Sequence, residues 1–257
     1  MLVWMTAHAD RFTGRVAEYV QYRQQYDAEP LLALLRAWCG LVPEQTVADI
    51  GAGTGMLAEV SLRNGNAVVA VEPNAAMRAA CKRMQVRWPR LRVIDAAAEL
   101  TTLAPQSIDL VSVGRAFHWF DAPRALAEFR RILKPGGWVA LVSLGRAKDG
   151  SEMSAAYERL LTEHGTDYSY VREGYRVHEW LDELFAGGEV RRTELHGEQQ
   201  LTRDALLGQT MSLSMAPLPG HAKYEGMVQA LNAFFAQYAV LDVLTMPTTC
   251  WITCGRW

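Results

Sequence analysis

The chain lacks an excess of charge of either sign, a long apolar run and a cysteine framework, and each absence removes a class of function. Its 26 lysines and arginines stand against 28 aspartates and glutamates, a formal net charge of -2, so no whole-chain field draws it to a polyanion. The paired bases Lys82-Arg83, Arg130-Arg131 and Arg191-Arg192 are scattered and read as solvated faces. Nucleic acid is therefore not an expected partner. No apolar stretch reaches the roughly 20 residues that cross a bilayer, so no membrane partner is expected either. The opening MLVWMTAHADRF has too short an apolar run for a signal-peptide core and no basic leader, which predicts a cytoplasmic protein. Four cysteines, Cys39, Cys81, Cys250 and Cys254, are too few and too uneven for a disulfide framework, and no CxxC spacing suggests zinc. Free thiols and no metal are expected.

What is present is the material for one sizeable core: 257 residues, 50% hydrophobic and 21% charged. From Thr46 to Leu144 short β-branched runs alternate with amphipathic stretches, the signature of βαβ units and a parallel sheet. The strands are TVADI (46–50), AVVAVE (67–72), RVID (92–95), IDLVSV (108–113) and WVALVSL (138–144). Near-continuous apolar runs of this kind suit strands covered on both faces. MLAEVSLRNG, NAAMRAACKRM and PRALAEFRRILKPGG read as the intervening helices. The last is punctuated by Asp121 as cap, Pro123 in the first turn and Pro135-Gly136-Gly137 as stop.

Two helices, VAEYVQYRQQY and PLLALLRAWCG, precede the sheet. After Leu144 the β rhythm gives way to helical SEMSAAYERLLTEHG and VHEWLDELFAGG. A strand follows at EVRRTELHGEQQL, then helices over about 203–215 and 222–238, and TTCWITCGR is a closing strand. With no repeat and no low-complexity linker, the expected organisation is one domain over 1–257. Within it, residues 1–40 are expected to form a helical N-terminal segment, and 146–188 and 203–240 helical insertions.

The most informative segment is VADIGAGTGM, in which Asp49 ends a strand and Gly51, Ala52, Gly53 and Gly55 turn into a helix. Closely spaced glycines either make a tight strand-helix turn or let the backbone approach a ligand at the carboxyl edge of the sheet. A dinucleotide loop, GxGxxG, needs a small residue where this chain has Met56. Glu72 with Pro73, ending the second strand, is placed to accept hydrogen bonds from a ribose diol. IDAAAEL after the third strand offers small side chains to flank a purine.

VADIGAGTG, VEPN, AAAEL, SIDLVSVGRAFHWF and ILKPGGWVALV, in that order, resemble the motif series of class I S-adenosylmethionine-dependent methyltransferases. More narrowly the chain resembles the methyltransferase type 11 branch that includes trans-aconitate methyltransferase-like proteins. The resemblance implies a doubly wound, Rossmann-like α/β fold with a seven-stranded, mostly parallel sheet whose last strand is antiparallel. It implies S-adenosylmethionine as cofactor, with S-adenosylhomocysteine as product. Gly51, Gly53 and Gly55 are then expected to face its methionine part, Glu72 to hold the ribose, and Ala97 and Ala98 to border the adenine. Many relatives carry an aspartate where this chain has Ala97, so the contact to the adenine amino group must come from elsewhere or be absent.

Methyl transfer from a sulfonium is an in-line displacement, so the protein mainly aligns the acceptor and excludes water. The candidates follow the fourth strand: Gly114, Arg115, His118, Trp119 and Phe120. An imidazole with a pKa near 6.5 can take a proton or donate a hydrogen bond, and aromatic faces attract a sulfonium. The same His-Trp-Phe turn can equally cap the strand and pack the next helix. Tyr19, Tyr22 and Arg23 resemble a Tyr-x-x-Tyr-Arg pattern that folds over the cofactor in this branch, with Arg23 facing the methionine carboxylate or an acidic substrate. Trp180, Met211 and Met215 are candidates for the far wall of the acceptor pocket. The expected function is methylation of a small molecule at an oxygen nucleophile, carboxylate or hydroxyl; the rival is a protein that binds the cofactor without turnover and serves a regulatory or assembly role.

Overall fold

A computed structural model describes residues 10–147, 149–169 and 184–257. The N-terminal nine residues, most of VHEWLDELFAGG and Trp180 lie outside them. Seven strands form one sheet in the order β3-β2-β1-β4-β5-β7-β6. They are β1 (Thr46–Ile50), β2 (Ala67–Val71), β3 (Leu91–Ile94), β4 (Ile108–Gly114), β5 (Leu133–Arg146), β6 (Glu189–Leu201) and β7 (Leu244–Arg256). The first five pair in parallel, and β7 runs antiparallel between β5 and β6. This is the doubly wound, mostly parallel arrangement expected, and the central strands are buried throughout, as their unbroken apolar sequences require.

One face of the sheet is covered by α2 (Ala28–Cys39), α3 (Met56–Arg63) and α4 (Ala75–Arg83), which follow α1 (Val16–Tyr22). The other is covered by α5 (Ala122–Ile132), whose Phe129 and Ile132 are fully buried. Beyond the carboxyl edge, α6 (Glu152–His164), α7 (Arg203–Met211) and α8 (Tyr224–Tyr238) form a third apolar cluster around Leu161, Leu206, Met227 and Leu231, joined by Leu244 and Met246 of β7. Met215 belongs to this core. Among the described residues no helix is long and apolar enough to cross a membrane.

Several boundaries differ from the sequence reading. The helix expected to stop at Pro135 ends at Ile132, and Lys134-Pro135-Gly136-Gly137 lie inside β5 as an irregularity between the Ile108/Leu133 and Leu110/Trp138 pairs. A proline disfavours helical backbone in the residue before it, and a strand irregularity tolerates its missing N–H. The first helix ends at Tyr22 rather than Tyr26 and is preceded by a 3-10 turn at Asp10–Arg15. The helix expected to reach Met215 ends at Met211, and β7 begins at Leu244, four residues before the expected start at Thr248. Glu72 and Asp95 fall just past their strands.

Candidate functional site

Strand order reverses between β1 and β4, and an open α/β sheet leaves a crevice at that point above its carboxyl ends. A cleft enclosing about 280 Å³ of empty space, its open mouth included, lies there, lined by Tyr19, Tyr26, Asp49, Gly51, Ala52, Gly53, Thr54, Met56, Leu57, Gly114 and Arg115. The amides of Gly51 and Ala52 donate to the Val71 carbonyl at 2.9 and 3.1 Å, which fixes the loop between β1 and α3 onto the end of β2.

The glycines of that loop divide by task. Gly53 has φ +57° and nothing within 4 Å of where a Cβ would stand, so it opens the cleft. Gly55, at φ +93°, faces α4 instead: a Cβ there would meet Met84 Sδ at 2.6 Å. Its task is packing, and it does not line the cleft with the other two. A Cβ on Gly51 would meet Ala116 at 2.7 Å and Phe120 at 3.0 Å, so Phe120 is part of the wall behind the loop. Phe120 also packs edge-on against Phe117 and Phe129, the structural alternative foreseen for it.

Three side-chain oxygens along the cleft are sealed from solvent and have no hydrogen-bond partner among the described residues: Tyr26 Oη, Asp49 Oδ2 and Thr54 Oγ1. Such atoms cost free energy unless something satisfies them. Asp49 is fully buried at the end of β1, and burial pushes its carboxyl up to about 7 even though Ser112 Oγ donates to Oδ1 at 2.9 Å. Burial likewise raises the Tyr26 hydroxyl, against the pull of the Arg115 guanidinium 5.1 Å from the ring centroid. Arg115 holds a left-handed backbone, φ +54°, while its amide donates to Val142 O at 3.0 Å and its side chain reaches Gln24 O and Met56 Sδ. Tyr26, Thr54, Met56 and Leu57 were not among the expected site residues.

Glu72, 7% exposed, joins the glycine loop to the next motif. Its Oε2 accepts from Gly53 N–H and its Oε1 from Asn74 N–H, both at 2.8 Å. Burial raises its pKa and these two amides oppose the rise. Arg78 locks the neighbourhood, donating to the carbonyls of Glu72 and Pro73 and pairing with Asp95 at 2.7 Å. Ala98 is buried and Ala97 half-buried in the tight turn closed by the Ala97/Leu100 bridge, where Glu99 accepts from Asp121 N–H at 2.8 Å.

The N-terminal segment lies across these elements. Arg15 is buried and donates to the carbonyls of Met211, Leu213 and Ala216, while Asn74 Nδ2 donates to Thr13 at 2.9 Å and Arg11 pairs with Asp167. Phe12 sits edge-on to both Tyr19 and Trp119, at 5.9 and 6.5 Å, and the half-buried His118 ring is 4.4 Å from Trp119. Tyr22 turns away from the cleft onto Gly208, and Arg23 stacks on Tyr19 with Nη1 donating to Ser212 at 3.4 Å. Of the expected site residues, Asp49, Gly51, Ala52, Gly53, Gly114 and Arg115 line the cleft. Glu72, Pro73, Ala97, Ala98, His118, Trp119, Tyr22 and Arg23 stand outside it.

An acid at the end of β1, a glycine turn at the switch point and a second acid after β2, on a sheet with an inserted antiparallel strand, define the architecture of class I methyltransferases. Residues 48–141 match the family described as Methyltransferase domain. A methyltransferase of Mycobacterium tuberculosis that has no assigned substrate is 35% identical over 131 residues, 51% of each chain. Malonyl-[acyl-carrier protein] O-methyltransferase of Pectobacterium atrosepticum is 35% identical over 140 residues, 53% of this chain and 51% of the relative. The chain thus spans about half the length of the curated relatives it matches. A candidate type II methyltransferase from Anaeromyxobacter dehalogenans superposes with a TM-score of 0.65 at 26% identity, over 91% of this chain and 97% of its own.

Proposed function

We propose that the chain binds S-adenosylmethionine in the cleft between β1 and β4 and directs its methyl group to an oxygen nucleophile, carboxylate or hydroxyl, of a small molecule. The observation that carries this reading is the trio Tyr26 Oη, Asp49 Oδ2 and Thr54 Oγ1, three buried oxygens in one cleft whose hydrogen bonds await a polar ligand. The residues fit the cofactor. Each oxygen of Glu72 accepts one backbone amide and keeps a lone pair for a ribose hydroxyl. Gly53 leaves room for close approach, and a cationic group beside Asp49 favours its ionised form. Bound there, the cofactor supplies a methyl group already activated on a sulfonium.

The remaining work falls to this chain's own residues. Phe12, Tyr19 and Trp119 form an aromatic border that excludes water, and the segment from Phe12 to Tyr19 acts as its lid, while residues 28–39, part of the lid expected over 1–40, pack on the sheet instead. His118 holds or accepts a proton at the acceptor oxygen, and α6 to α8 wall the acceptor pocket. An O-methyltransferase among the relatives supports oxygen as the nucleophile. The test is calorimetric titration with S-adenosylmethionine and S-adenosylhomocysteine, with a nicotinamide dinucleotide as control. Micromolar binding of the first two alone is expected; binding of the dinucleotide, or of none, overturns the reading.

A further inference from the structure

The two edges of the sheet are unlike. β3 is four residues long, and shortness blunts an edge against further pairing. β6, at the other edge, runs thirteen residues and pairs with β7 from Glu189/Arg256 to Leu201/Leu244 in one unbroken register. It has neither a proline nor a bulge, two of the devices that close a long edge. Among the described residues it has a strand neighbour on one side only, and its middle is open to solvent: Gly197 is exposed and has no side chain, so what is exposed is backbone. A strand with one side committed to β7 turns the N–H and C=O of alternate residues outward, as a template for another strand.

Side chains alternate along this edge. Arg192, Glu194, His196, Glu198 and Gln200 are exposed on one face, Glu194 at 50% and His196 at 73%. Arg191, Thr193, Leu195 and Gln199 are half-buried on the other, where Leu195 packs on the core. The exposed face therefore reads base, acid, imidazole, acid, an order that complements itself when reversed.

A two-fold axis normal to the sheet keeps each face of the strand, so it must pass a residue that meets its own copy. With Leu195 at the axis, Arg192 faces the partner's Glu198 and Glu194 faces the partner's His196, each twice by symmetry, and no like charges oppose. On the other face Arg191 meets the partner's Gln199, and Thr193 the partner's Gly197. An axis at Glu194 or His196 sets Glu194 against its own copy or against the partner's Glu198. An axis at Thr193 or Gly197 keeps one kind of favourable pair where Leu195 gives two.

We propose that β6 is an interface with a second copy of this chain, paired antiparallel about Leu195 so that one sheet runs through both. Backbone groups make the ladder, and the charges choose its register and its partner. Two-fold pairing consumes the edge, so assembly stops at two.

Sedimentation velocity of the full chain from roughly 1 to 200 µM, a range suited to a small interface, is expected to show monomer passing to dimer. Arg192→Glu and Glu198→Arg should each weaken the dimer about ten-fold or more, and the two together should restore it to within about three-fold. Under glutathione disulfide, Leu195→Cys should give a covalent dimer, because each thiol meets its own copy across the axis. Thr193→Cys, on the same face, should not, since its copy stands about 13 Å along the strand. A chain that stays monomeric, open-ended assembly, a dimer indifferent to both reversals, reversals that the double variant does not repair, or cross-linking at 193 as readily as at 195 overturns the interface. If either reversal fails to fold, the two cysteine variants decide.

Discussion

Glu72 ties the glycine loop to the turn that opens α4, because its two oxygens take the amides of Gly53 and Asn74. Glu72→Ala is expected to weaken S-adenosylmethionine binding by about 1.5 to 3 kcal/mol, through lost charge-assisted hydrogen bonds and a loosened loop; calorimetry reads it, and an unchanged affinity means the acid holds only its own backbone. His118→Ala should lower kcat at least ten-fold with cofactor affinity nearly intact, whereas equal turnover in the two proteins removes the imidazole from the reaction. Asp49 gives a pH signature. Its folded pKa, about 7, lies above the unfolded carboxylate value, so its ionisation favours the unfolded chain. The cost is absent below about pH 4, grows as pH rises and is complete above about 7. In urea unfolding without cofactor, Asp49→Asn should therefore gain on the parent by a few kcal/mol between about pH 4 and 7.5. A constant difference across that range refutes it.

At the scale of elements, the N-terminal segment is held mainly by Arg15, which donates to three carbonyls at and beyond the end of α7. Arg15→Met is expected to cost about 2 to 4 kcal/mol, since it strips partners from buried carbonyls, and to speed amide exchange in residues 10–22 and 208–216 before the sheet is affected. Uniform exchange changes throughout the chain point to global destabilisation instead. The same elements show what a sequence discloses. The central strands were legible because two-sided burial leaves runs such as VADI and AVVAV that suit little else. That Asp49, Gly53 and, in the turn after β4, Arg115 line one crevice was legible because an open sheet leaves its cleft at the strand ends where the order reverses. Tyr26 and Thr54 were not: a tyrosine after a helix and a threonine in a turn acquire their meaning only when the folded chain buries them along the cleft. Gly55 misled for a related reason, since one glycine needed for Met84 looks in sequence like another needed for a ligand. The Pro135-Gly136-Gly137 stop was misplaced because an irregular strand accommodates what a helix cannot.

Across the whole molecule, β7 links the methyltransferase sheet to the helical cluster: it pairs with β5 on one side and β6 on the other, while Leu244 and Met246 enter the core of α6 to α8. With a strand on each side, its amides are committed to ladders whichever way they point. Thr253→Pro, opposite Leu141 and Arg192, should therefore cost about 3 kcal/mol or more and be felt by tryptophan fluorescence and helical signal in one transition. Two separated transitions contradict that link. The position of β7 also orders events at the ribosome. β6 is made first but has its place only beside a strand made later, so about forty residues, largely helical, must emerge and wait before either can be seated. Through that interval β5 offers a bare edge and β6 is a strand without a sheet, which makes the stretch between Glu189 and Leu244 the part of synthesis where a chaperone has most to protect.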